Sequence, residues 1–104
     1  MWRALVDSGS DWCLFDEQAA GWLGIDIVSG ESCGFFGVEQ VPMNAFFHNI
    51  TLDVGGIRVP IRAGFVRGFR FSHGILGQAG FFDQFVVTIS AAGRSPYIEM
   101  LRAQ

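Results

Sequence analysis

Residues 50–61 constrain this chain more than any other stretch. Ile50-Thr51-Leu52-Asp53-Val54 and Ile57-Arg58-Val59-Pro60-Ile61 each alternate apolar and polar residues, with Gly55-Gly56 between them. Alternation places every second side chain on one face, so both runs read as half-buried strands. Two glycines supply the positive φ angles that a two-residue hairpin turn requires. A lone hairpin is marginal in water, so a chain committed to one needs further strands to cover its apolar face.

Those strands are readable on either side. Residues 3–6 form a continuous apolar run after Arg3 and read as the end of a buried strand, broken by the turn-forming Asp7-Ser8-Gly9-Ser10. Residues 12–15 resume as a short apolar strand, and residues 25–28 as another, followed by a turn at 29–32. Residues 33–36 and 41–47 are expected to be the arms of a second hairpin, with its tip at Gly37-Val38-Glu39-Gln40. Residues 63–66 and 85–89 read as further strands, with a compact turn or short helix at 80–85 and a loop at 90–96. For residues 97–102, strand and short helix both remain open. One helix is well signalled: Asp16 is an N-cap, Glu17 sits near the positive end, and Gly24 falls where a C′ glycine belongs. The expectation is a single mostly β domain over residues 1–104, a small closed barrel with one or two short helices.

Composition narrows the class. Half of the 104 residues are hydrophobic and eleven are Phe, too apolar a chain to stay disordered. Fourteen Gly against three Pro fit many tight turns. No apolar run approaches the roughly 20 residues that span a bilayer, so the chain reads as soluble, with no membrane partner. The seven basic residues are all Arg, scattered from Arg3 to Arg102 against a net charge of −3, which disfavours a nucleic-acid partner. Cys13 and Cys33 lack metal-ligand spacing and read as two buried free thiols, with a disulfide between them as the alternative. His48 and His73 have no obvious Ser or Cys nucleophile to serve. Asn49-Ile50-Thr51 matches a glycosylation sequon and is treated as chance. No signal for a cellular compartment is present.

Asp7 is the residue that asks for chemistry. A carboxylate at the end of an apolar strand is costly to bury alone and needs a partner. By itself, Asp-Ser-Gly is more often an ordinary turn in which the Asp side chain caps its own backbone. A second feature lies far along the chain: Ile75-Leu76-Gly77, followed by the turn around Gly80-Phe81-Phe82.

Taken together, Ala4-Leu5-Val6-Asp7-Ser8-Gly9-Ser10, the Asp16-capped helix ending Trp22-Leu23-Gly24-Ile25, and the late Ile75-Leu76-Gly77 resemble the retropepsin-like aspartic proteases over residues 4–89. That resemblance implies a closed acid-protease barrel and an aspartic endopeptidase with no cofactor and no metal. Asp7 would be the catalytic aspartate. Ser8 would join the hydrogen bonds that tie two such loops together, Gly9 would permit their close approach, and Ser10 would bond an outer carboxylate oxygen. Ile75, Leu76 and Gly77 would support the loop from beneath, while Phe35, Phe36 and Gly37 would form the flap over an extended peptide substrate. One aspartate per chain implies a homodimer, and the length excludes a two-lobed, pepsin-like chain. The family carries a strand and hairpin before the aspartate strand; only Met1-Trp2-Arg3 stand there in this sequence, so an N-terminally shortened domain is expected. Gln78 stands where many members have Arg or Asn. The alternative is the same fold without catalysis, acting as a protein-interaction module.

Overall fold

In the computed structural model, residues 3–37, 40–68, 73–90 and 97–102 are described. Among these residues eight strands and one α-helix follow one another as β1 (Ala4–Val6), β2 (Leu14–Asp16), α1 (Glu17–Trp22), a 3-10 turn (Ile27–Ser29), β3 (Glu31–Phe36), β4 (Pro42–Val54), β5 (Ile57–Val66), β6 (Gly74–Leu76), β7 (Phe85–Ser90) and β8 (Tyr97–Arg102). Six strands form one mixed sheet in the order β1-β6-β2-β5-β4-β3, and β7 pairs with β8 in a separate ribbon.

The β4–β5 hairpin forms as its alternation dictates. Val54 faces Ile57 across the two-residue turn, with Gly55 at φ 59° and Gly56 at φ 88°. Asp53 closes the turn by accepting the Gly56 N–H at 3.0 Å. Along β5, Val59, Ile61, Ala63 and Phe65 are all buried, while Arg58, Pro60 and Arg62 are exposed. Pro60 is tolerated because β5 is paired on its β4 side there, while β2 joins only at Gly64. Residues 63–66 are not a separate strand but the end of β5. Their alternation disappears because β5 becomes central and both of its faces are covered.

Two apolar clusters flank the sheet. One gathers Cys13, Phe15, Val59, Ala63, Phe65 and Phe81; the other holds Leu14, Ala45, Phe47 and Val66. Successive residues of β2 therefore point into different clusters, which explains the unbroken apolar run before Asp16. Gly64 lies at the crossing of β2, β4 and β5, where an added Cβ would sit 2.9 Å from Leu14 and 3.1 Å from Phe47.

The helix α1 starts and stops as its sequence signals. Asp16 Oδ1 accepts the Ala19 N–H at 3.2 Å. At the other end, the Gly24 N–H donates to the Gly21 carbonyl and the Ile25 N–H to the Ala20 carbonyl, with Gly24 at φ 70°. That pair of bonds is the Schellman closure.

Several expectations are corrected. The sheet is open, not a closed barrel: β1 and β3 are its edges among the described residues, and a groove of about 710 Å³ separates β1 from the tip of the β4–β5 hairpin. Strand β1 is an edge strand, not a buried one, with Leu5 49% exposed. Residues 27–29 form a 3-10 turn where a strand was expected, held by the Ser29 hydroxyl on the Asp26 carbonyl and by a 2.8 Å contact between His48 Nε2 and the Ile27 carbonyl. Glu31 and Ser32 belong to β3, not to a turn. Residues 80–84 are a hydrogen-bonded turn, and residues 97–102 are a strand. Residues 91–96 of the expected loop lie outside the described residues.

Candidate functional site

Strands β1 and β6 run parallel, with Val6 level with Leu76, so their C-terminal ends open at the same edge. The Asp7 loop leaves one strand and the Gly77 turn leaves the other, and backbone bonds join them. Asp7 N–H donates to the Leu76 carbonyl at 2.9 Å; Gln78 N–H and Ala79 N–H donate to the carbonyls of Ser10 and Asp11 at 2.8 and 2.9 Å. Gly77 makes this approach possible, since a Cβ there would lie 2.6 Å from the Ser10 carbonyl oxygen and would also strike that of Trp12. Ile75 and Leu76 pack each into a different apolar cluster.

Asp7 is partly exposed. Its Oδ1 accepts the Gly9 N–H at 2.9 Å, and its carbonyl accepts the Ser10 N–H at 3.1 Å. This is the local capping turn that the residues alone anticipate. A Cβ at Gly9 would sit 3.2 Å from Asp7 Oδ1, so a side chain there would push the carboxylate by a few tenths of an ångström. The Ser10 hydroxyl donates to the Trp12 carbonyl at 2.8 Å rather than to Asp7. Ser8 is exposed, and its carbonyl accepts a hydrogen bond from Gln78 Nε2 at 2.8 Å.

The β3–β4 hairpin carries the residues expected to form the flap. Phe35 faces Met43 across the pair and meets the Trp12 ring edge-on at 6.0 Å, while Phe36 is exposed. The Gly37 N–H donates to the Val41 carbonyl at 2.9 Å to close the hairpin. Val38 and Glu39, at the expected tip, lie outside the described residues.

No family model, curated protein or solved structure matches this chain. What supports a function is then the arrangement of the residues themselves.

Two of these were missed in the sequence. Trp12 links the Asp7 loop to the hairpin, because its ring also meets Phe47 edge-on at 5.3 Å. An aromatic after an acid turn gives no sign of that contact. Gln78 contributes a side-chain bond across seventy positions, which no local pattern signals. Cys13 is fully buried, and burial pushes its thiol pKa up, with a smaller push from Asp83 and an opposing pull from a hydrogen bond to the Gly77 backbone. Cys33 is half-buried rather than buried, and both thiols are free. His48 and His73 bond backbone carbonyls. Among the described residues no cluster of His, Cys, Asp and Glu has metal-binding geometry, and no helix is long and apolar enough to cross a membrane.

Proposed function

We propose that this chain is a retropepsin-like aspartic endopeptidase that works as a homodimer. The observation that supports it is the joining of residues 7–11 to residues 76–79 by three backbone bonds and one from the Gln78 side chain, which presents the Asp7 carboxylate at the open end of two parallel strands. A second copy supplies the second carboxylate. Two carboxylates held about 3 Å apart cannot both ionise, so the pair carries one proton between them. The ionised member takes a proton from a water lying between them as that water attacks the scissile carbonyl carbon. The protonated member donates to the carbonyl oxygen, and the tetrahedral species then collapses with protonation of the leaving amine. No covalent intermediate and no cofactor enter the scheme.

Phe35, Phe36 and Gly37 form the flap in this reading, and an extended peptide lies beneath it, pairing its backbone as an added strand. Closure of the flap excludes water and completes the cleft. The aromatic character of these residues, Trp12 included, favours apolar side chains on either side of the cut. The test is cleavage of a peptide library between pH 3 and 7. The expected result is pepstatin-sensitive cleavage that is lost in Asp7→Asn; a folded dimer that cleaves nothing overturns the reading.

A second reading is a non-catalytic interaction module. It is favoured by one observation: the outer edge of β1 is unpaired among the described residues, and Leu5 stands exposed on it. In that case the Asp7 loop is a turn and nothing more, and the chain is a monomer at micromolar concentration.

A further inference from the structure

We infer that Gln78 is a positioning residue for Asp7, acting through the peptide unit between Ser8 and Gly9; the inference rests on the peptidase reading above. The carbonyl of that unit accepts a hydrogen bond from Gln78 Nε2 at 2.8 Å, and the N–H of the same unit donates to Asp7 Oδ1 at 2.9 Å. One rigid peptide plane is thus held at both ends. Rotation of the plane that broke one bond would misalign the other, so the Gln78 side chain sets the direction from which Asp7 is held. Charge shifts in the same sense along the chain: donation to the carbonyl polarises the amide and strengthens its N–H as a donor to the carboxylate.

The orientation of the Gln78 amide is determined by its partner, because a carbonyl oxygen only accepts, so the NH₂ group must face Ser8. Gln78 also donates its backbone N–H to the Ser10 carbonyl at 2.8 Å, which fixes the root of the side chain against the loop it holds. The residue itself is exposed and packs in neither apolar cluster. Its substitution should therefore act on the loop and leave the core intact. Without the clamp, the Ser8–Gly9 plane is free to turn, the carboxylate loses its fixed direction, and the chemical step slows while peptide binding does not.

The experiment compares Gln78→Leu, Gln78→Glu and Gln78→Arg with the wild-type chain. Leu and ionised Glu cannot donate to Ser8, whereas Arg can. For Leu and Glu, kcat is expected to fall between about 10- and 100-fold, the loss typical of a misplaced reacting group, with KM changed by less than about twofold. Backbone order parameters of the Ser8 and Gly9 amides are expected to drop from about 0.85 to below about 0.6. Arg is expected to restore both, and thermal melting should be unchanged across the set. Unchanged order parameters in Gln78→Leu overturn the clamp whatever the activity. A fall in kcat that follows a fall in melting temperature overturns the positioning role. An inactive wild type overturns the peptidase reading and the catalytic half of this inference, while the amide measurements still decide whether the clamp exists.

Discussion

At the residue scale, Asp7 carries two roles that a single substitution separates. Its Oδ1 caps the turn through the Gly9 N–H, and an Asn retains an oxygen acceptor at that position. Asp7→Asn should therefore cost less than about 0.5 kcal/mol of stability, as surface changes that keep their contacts do, although it removes the carboxylate the chemistry needs. Chemical denaturation checks this: a loss of several kcal/mol would mean that the carboxylate charge itself holds the loop. Cys13 has a different signature. Its thiol pKa is raised by burial, so the native state holds the proton more firmly than the unfolded chain does. Stability is then independent of this group below the ordinary thiol pKa and falls as pH rises through the raised one, because only the unfolded chain releases the proton there. Cys13→Ala is expected to flatten that alkaline loss, and native Cys13 should resist thiol reagents at neutral pH while the half-buried Cys33 reacts.

At the element scale, the strongest expectation concerns the contact of the Gly77 turn with the Asp7 loop. A methyl group at residue 77 meets backbone carbonyl oxygens of Ser10 and Trp12, which cannot rotate away as a flexible side chain would. Gly77→Ala is expected to destabilise by about 1–3 kcal/mol, the cost of forcing atoms into a filled site. Equilibrium unfolding measures it, and a neutral result would show that the two segments are not in close backbone contact at residue 77. The elements also show what was legible in the sequence. The β4–β5 hairpin and α1 were readable because each is specified locally, by alternation around Gly55-Gly56 and by Asp16 and Gly24 as caps. The same local reading failed at residues 3–6. An apolar run there looks like a buried strand, but whether it is central or at an edge depends on which strands lie beside it, and β6 arrives from seventy residues away. Residues 25–28 failed for a related reason: the Ile25 N–H is already used to close α1, and the chain turns immediately at Asp26.

At the scale of the whole molecule, the radius of gyration of 14.1 Å slightly exceeds the roughly 13 Å typical of this length. The excess fits an open sheet with a groove beside β1 rather than a closed barrel. The nearness of the Asp7 loop to residues 75–77 was an expectation of the family resemblance and not of either short motif alone. The clamp by Gln78 and the bridge through Trp12 were not anticipated, because each depends on side chains meeting across the fold. The central claim is that one carboxylate from each of two chains makes one site. It is tested most directly by refolding wild-type chains together with Asp7→Asn chains at a fixed total concentration and measuring peptide cleavage. If both carboxylates are required in each dimer, an equal mixture retains about a quarter of the wild-type rate, since random pairing leaves that share of dimers intact. A rate near one half, falling linearly with the wild-type fraction, would mean that each chain acts alone and would contradict the account.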